Sequence, residues 1–122
     1  MPPRIDKTAF GSITVDGTVF EHDVIIRPDG QVKKRKKKLS KAVYGTSHTI
    51  SLDEAKYVMK QGAGAEHLVI GSGQYGNVEL SPEAAAFVQA RKCSVSLLPT
   101  PEVIEVWNET DGKAVGLFHV TC

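Results

Sequence analysis

A chain of 122 residues with 41% hydrophobic and 24% charged residues has the composition of one globular domain, long enough to bury a single core and too apolar to stay disordered. No apolar run approaches the ~20 residues that cross a bilayer, and Met1-Pro2-Pro3-Arg4-Ile5-Asp6-Lys7 lacks the apolar core of a secretory signal, so a cytoplasmic protein with no membrane partner is expected. The net charge of +1 hides an asymmetry: seven of the fifteen basic residues lie between Lys33 and Lys41 with no acid among them, and the other eight face fourteen acids.

In chain order, residues 1–9 read as a loosely ordered arm. Phe10 to Val15 alternates, Asp16-Gly17 is a hairpin turn signal, and Thr18 to Phe20 continues the ladder. Asp23 to Arg27 carries Val24-Ile25-Ile26, Pro28-Asp29-Gly30 turns, and Gln31-Val32 starts a return strand that leads into the basic run. The period then changes. Ser51-Leu52-Asp53-Glu54 is a capping box, in which the Ser51 hydroxyl and the Glu54 carboxylate satisfy free amides at a helix start. Leu52, Ala55, Val58 and Met59 share one helical face, and Gly62 and Gly64 stop the helix. His67 to Ile70 is a continuous apolar strand, the pattern of a strand covered on both faces. Ser81 caps a second helix, with Pro82 in its first turn, running to about Arg91. Ser94 to Leu98 is the next strand. Thr100 caps a third helix with the stripe Val103, Val106 and Trp107; Asp111-Gly112 ends it, and Lys113 to Val120 is the last strand. Helical crossovers make these strands parallel. The expected fold is α/β: a single domain over residues 1–122, with an N-terminal β-meander followed by α-β-α-β-α-β with parallel central strands.

Parallel strands bring three ends to one edge of the sheet, where α/β folds keep their sites. The ends are Gly71-Ser72-Gly73-Gln74-Tyr75-Gly76, Pro99-Thr100-Pro101-Glu102 and His119-Val120-Thr121-Cys122. Gly71-x-Gly73-x-x-Gly76 matches the dinucleotide-binding pattern in letters. However, Asn77-Val78-Glu79-Leu80 separates it from the next helix, and no acid ends the following strand. It reads as a turn whose amides line a polar crevice, with a plain glycine turn as the simpler alternative. The helix start at Thr100 offers amides to an anion, opposed by Glu102 in its first turn, and plain capping is the simpler reading there too. His119 and Cys122 are the neighbouring base and nucleophile. Three residues apart on a strand they point to opposite faces, which favours a structural histidine and an incidental cysteine. Ser47 and His48 lie on the loop Tyr44-Gly45-Thr46-Ser47-His48, where His48 is a candidate proton shuttle; the alternative is a loop that satisfies its own backbone. His22, His48, His67 and His119 show no metal-ligand spacing, so no metal or cofactor is expected. Cys93 and Cys122 fall at opposite ends of strands about 20 Å long, beyond the roughly 7 Å between α-carbons that a disulfide spans. The basic run fits a polyanion or nucleic acid but has no aromatics to stack on bases. The competing reading is a solvated edge that blocks sheet-to-sheet pairing.

Four segments together resemble a known family of small single-domain proteins: Phe10-Gly11, Thr46-x-His48, Leu68-Val69-Ile70-Gly71-x-Gly73 and the ending Gly116-x-Phe118-His119-x-Thr121-Cys122. That family includes the adipogenesis-associated domain protein, a mitochondrial complex I assembly factor of similar size and many archaeal and bacterial hypothetical proteins. The chain looks like an archaeal member. The resemblance covers nearly the whole chain and implies a compact α/β domain with a β-hammerhead-like front portion. It implies no settled activity; the eukaryotic members act through partner proteins, and the basic run departs from the family.

The leading expectation is a non-catalytic protein-interaction or assembly module, a monomer or homodimer whose partner is another protein. Its crevice would comprise Gly71, Ser72, Gly73, Gln74, Ser47, His48, Thr100 and His119. One alternative is an enzyme acting on a small anion with His48 or His119 as general acid/base and Cys122 as a further catalytic candidate. The other is polyanion binding through Lys33, Lys34, Arg35, Lys36, Lys37, Lys38 and Lys41, with nucleic acid the disfavoured ligand.

Overall fold

A computed structural model describes residues 3–110 and 113–122. Its elements run β1 (Ile5–Ala9), β2 (Ser12–Val15), β3 (Thr18–Phe20), β4 (Val24–Ile26), β5 (Val32–Lys34), α1 (Lys38–Tyr44), β6 (Thr49–Ile50), α2 (Leu52–Gln61), β7 (His67–Ser72), β8 (Glu79–Leu80), α3 (Pro82–Ala90), β9 (Ser94–Leu98), α4 (Thr100–Glu109) and β10 (Ala114–His119). The expected α/β arrangement holds. β7 pairs parallel with both β10 and β9, so the three suggestive strand ends do share one edge. The meander both pairs onto the sheet and packs against it. β4 joins antiparallel to β10, giving the order β5-β4-β10-β7-β9, and β1-β2-β3 forms a separate sheet.

Side-chain alternation divides the apolar residues between two cores. Ile25, Leu68, Ile70, Val115 and Leu117 face α2 and α3 through Ala55, Val58, Ala84 and Val88. Val24, Ile26, Val69, Ala114 and Phe118 face α4 and the front sheet through Trp107, Val103, Ile5 and Ile13. With both faces covered, β7 and β10 can be apolar throughout. Trp107 and Phe118 meet edge to face at 5.6 Å, and removing either ring would cost about 3–5 kcal/mol.

Several local expectations change. Residues 5–9 are not an arm but β1, tied down because the Asn108 side chain holds both the N–H and the C=O of Ile5 at 2.9 Å. Ile5 is the one buried residue of β1, with Asp6, Lys7, Thr8 and Ala9 exposed or half-exposed, so no alternation announces the strand. Phe10 does not open a strand; it sits in the turn joining β1 to β2. Asp16-Gly17 does turn the hairpin, with φ of 46° and 81° that suit a tight two-residue loop. α1 was unforeseen because it lacks a capping side chain and buries only Ser40. The short parallel pair β6–β8 was likewise unforeseen. The expected helix end at Asp111-Gly112 lies outside the described residues.

Candidate functional site

The C-terminal edge of the sheet is organised by a buried ionic network. Asp23 precedes the apolar β4, and its backbone carbonyl receives the Arg35 amide at 3.1 Å, which turns Arg35 inward from the end of β5. The Arg35 guanidinium donates to Glu54 through Nε at 2.6 Å and Nη2 at 3.0 Å, to Asp23 through Nη1 at 3.0 Å, and to the Ser47 carbonyl at 2.8 Å. Arg35 is 4% exposed and Glu54 0%. A lysine could not replace this planar fork. Two sequence expectations fail here. Arg35 belongs to the interior and not to a polyanion-binding face. Glu54 does not close a capping box: Ser51 Oγ accepts from the Glu54 amide at 3.1 Å, while the Glu54 carboxylate turns to Arg35 and Ser40, and Ser40 Oγ takes the Ser51 amide.

Asp23 links this network to β10. Its Oδ2 accepts from His119 Nδ1 at 2.7 Å, and its Oδ1 accepts from the Val120 amide at 2.9 Å. Burial alone would raise the Asp23 carboxyl. The His119 and Val120 hydrogen bonds, with the charges of His119 and Arg35, outweigh burial and hold it well below the usual carboxylate range. With Nδ1 turned to the Asp23 carboxylate, His119 presents Nε2 to the Thr121 hydroxyl at 3.1 Å.

The glycine turn is filled from within. Gly73 N–H donates to Thr100 Oγ1 at 3.0 Å, Gln74 N–H to the Thr121 carbonyl at 2.6 Å, Gly76 N–H to the Gly73 carbonyl at 3.2 Å and Asn77 N–H to the Cys122 carbonyl at 3.2 Å. Those amides are taken and do not line an open crevice. Thr100 is not the helix cap; Pro99 holds that position, and the Thr100 hydroxyl donates to the His119 carbonyl at 2.6 Å. Gly71 lies against Thr100 and Phe118. Ser72 is buried, and the Gln74 side chain donates to Thr8 Oγ1 at 3.0 Å.

His119 and Cys122 do not point apart. β10 ends at His119, so strand alternation stops there, and the last residues curl across the sheet edge. The β6–β8 pairing and the Glu79 N–H to His48 carbonyl bond of 2.9 Å bring His48 to the same place. Ligand atoms of His48, His119 and Cys122 all lie within 4.8 Å of one another. His48 Nε2 is 3.6 Å from Cys122 Sγ, and the His48 and His119 rings meet edge to face at 5.6 Å. Cys93 is separate from this site: both cysteines are free, and burial pushes the Cys93 thiol up, which leaves it unreactive.

Beside the network opens a cleft of about 360 Å³ lined by Gly11, Glu21, His22, Lys34, Lys37 and Thr121, with Asp23 and Arg35 at its base. Lys37 Nζ reaches Asp23 at 3.5 Å, and Lys36 lies over the Tyr57 ring at 4.7 Å. Phe10 and Tyr75, 60% and 71% exposed, pair at 6.0 Å on the same rim. A larger cleft of about 640 Å³, lined by Lys56, Met59, Lys60, Phe87 and Arg91, lies beside the start of β7, away from the converging chemistry. Sequence reasoning missed Asp23, Glu54 and Phe10 as parts of this edge, and it placed Tyr75 there only as a member of the glycine turn. An acid placed directly before the apolar Val24-Ile25-Ile26 was the available signal for Asp23.

A family model described as a protein of unknown function (DUF498/DUF598) matches residues 5–118. Among solved structures, a conserved hypothetical protein from Pyrococcus horikoshii is similar at 31% identity and TM-score 0.90, over 98% of this chain and 99% of that one. The protein MT938 is similar at 30% identity and TM-score 0.81, again over 98% and 99%. A Bordetella pertussis protein described as an Mth938-like domain shares the fold at 15% identity and TM-score 0.61, over 97% and 85%. No curated protein matches the chain.

Proposed function

The chain belongs to the DUF498/DUF598 family of proteins of unknown function, and from that premise we propose that it is a docking module for an acidic, apolar segment of a partner protein. The observation that carries this reading is the exposed Phe10–Tyr75 pair at 6.0 Å on the sheet edge. Exposed aromatic pairs anchor protein interfaces because they bury large area at little entropic cost. Gly11, next to Phe10, lines the cleft that also presents Lys34 and Lys37 beside Glu21; the two lysines outnumber that exposed acid, so charge complementarity favours acidic residues beside the apolar anchor. The internal capture of the glycine-turn amides removes the donors that a small anion would use. The resemblance to an assembly factor supports an assembly role. An archaeal source and a cytoplasmic location belong to the same reading, and two unpaired cysteines suit a reducing compartment.

A photo-crosslinking amino acid at position 75 identifies the partner, and the purified pair then gives a Kd. Expected is binding at least tenfold weaker in Phe10→Ser and in Lys34→Glu/Lys37→Glu, and weaker at high salt. Equal binding by parent and variants would overturn the proposal. So would crosslinks to nucleic acid, or to a second copy of this chain alone.

One observation favours the enzyme alternative, namely the 3.6 Å approach of Cys122 to His48. Neither of those residues lines either cleft described above. Turnover of a small anionic substrate that is lost on His48→Ala would establish it.

A further inference from the structure

We propose that His48, His119 and Cys122 form a mononuclear site for a borderline transition metal of the zinc class, whatever docks on the aromatic rim. Their ligand atoms lie within 4.8 Å of one another, with His119 buried and the other two half-buried. A tetrahedral zinc ion holds nitrogen at about 2.0–2.1 Å and sulfur at about 2.3 Å, which separates its ligand atoms by about 3.3–3.6 Å. The 3.6 Å between Cys122 Sγ and His48 Nε2 already has that spacing. The wider separations close by rotation of the half-exposed His48 and Cys122 side chains.

Two further features are those of a metal site. The first is an oriented histidine. His119 gives its Nδ1–H to Asp23 at 2.7 Å, and Asp23 is itself fixed by Arg35 at 3.0 Å. A carboxylate behind a histidine fixes the ring orientation and leaves Nε2 as the nitrogen available to a metal. The second is an anchored cysteine. The Cys122 carbonyl accepts from the Asn77 amide at 3.2 Å. It packs so close to Gly73 that a Cβ there would lie 2.6 Å from it. Two imidazoles and a thiolate suit zinc over magnesium or calcium. Three protein ligands leave a fourth position for water or for a ligand from a partner. On binding, Cys122 gives up its thiol proton to solvent, and the Thr121 hydroxyl gives up its bond to His119.

The test uses the full chain, free of any affinity tag and stripped with chelator, titrated with Co²⁺ and then with Zn²⁺ against a chromophoric chelator. Expected are one ion per chain, a near-ultraviolet thiolate-to-cobalt band and the strong visible bands of four-coordinate cobalt. Cys122→Ser should lose the thiolate band, and His48→Ala should bind at least tenfold more weakly. His67→Ala, at the opposite end of β7, should bind like the parent. Far-ultraviolet circular dichroism establishes that each variant is folded. The absence of a thiolate band at stoichiometric cobalt, or unchanged affinity in both folded variants, would overturn the proposal.

Discussion

Arg35→Met tests whether the fold depends on one buried cation. The substitution preserves length and apolar volume but removes the donors that reach Glu54 at 2.6 and 3.0 Å, Asp23 at 3.0 Å and the Ser47 carbonyl at 2.8 Å. Removing one partner of a buried pair costs about 3–5 kcal/mol, because the other charge stays buried without compensation. Glu54 loses its counter-charge, while Asp23 keeps the His119 and Val120 hydrogen bonds and Lys37 at 3.5 Å, so the expected loss at pH 7 is that of one broken buried pair, about 3–5 kcal/mol. For a domain stable by ~5–15 kcal/mol, and with a urea dependence of ~2 kcal/mol per M, the unfolding midpoint should fall by about 2 M. The pH dependence is diagnostic. A buried carboxylate stripped of its cation is protonated more easily than in the unfolded chain, so the variant gains relative stability as pH falls from 7 towards 4. The parent does not, because its Asp23 is held low. Urea titrations of parent and variant at pH 7 and pH 5 measure both effects, with Lys38→Met, on the exposed face of α1, as a control expected to stay within about 0.5 kcal/mol. A loss below about 1 kcal/mol at pH 7, or one independent of pH, would refute the assignment of Arg35 as the counter-charge.

Two further outcomes follow from the same edge. Asp23 has a depressed folded pKa, so its contribution is complete above the unfolded value near 3.9 and is lost as pH falls through the folded value. Unfolding free energy should hold level above about pH 5 and decline below it, and Asp23→Asn should make that decline shallower, as measured by urea titration across pH 2–7. Gly73→Ala forces a side chain into a backbone with φ of +100° and places its Cβ 2.6 Å from the Cys122 carbonyl. A cost of about 1–3 kcal/mol is expected, together with faster alkylation of the Cys122 thiol as the last residues are displaced.

The elements with a clear period were legible in the sequence and those without one were not. The capping serines, the Pro82 turn and the uninterrupted apolar β7 and β10 each carry a local signal, and together they fix the parallel sheet. β1 has one buried residue, and α1 buries only a serine. Neither has an amphipathic pattern: Asn108 holds β1, and Ser40, the buried residue of α1, hydrogen-bonds Glu54. The basic run shows the same limit in electrostatic form. Composition presents seven like charges as one object. The fold gives Arg35 to the interior, directs Lys37 to Asp23 and lays Lys36 over Tyr57, which leaves Lys34 on β5 and Lys38 and Lys41 on α1 as the exposed remainder, with Lys33 half-buried.

The candidate site was legible in its location but not in its membership. Strand ends predict an edge from topology alone, and Gly71, Thr100 and His119 do meet there. What each group does depends on partners distant in sequence: Asp23 is 96 residues from His119, and Cys122 is 74 from His48. The inference that His119 and Cys122 diverge carried strand alternation two residues past the strand end expected at Val120. The strand stops at His119, and the alternation rule stops with it. Once the last residues curl inward, they fill the glycine turn that had seemed open to a ligand and carry the thiol to the two imidazoles. One local event, the end of β10, therefore both removes the predicted crevice and creates the cluster that takes its place.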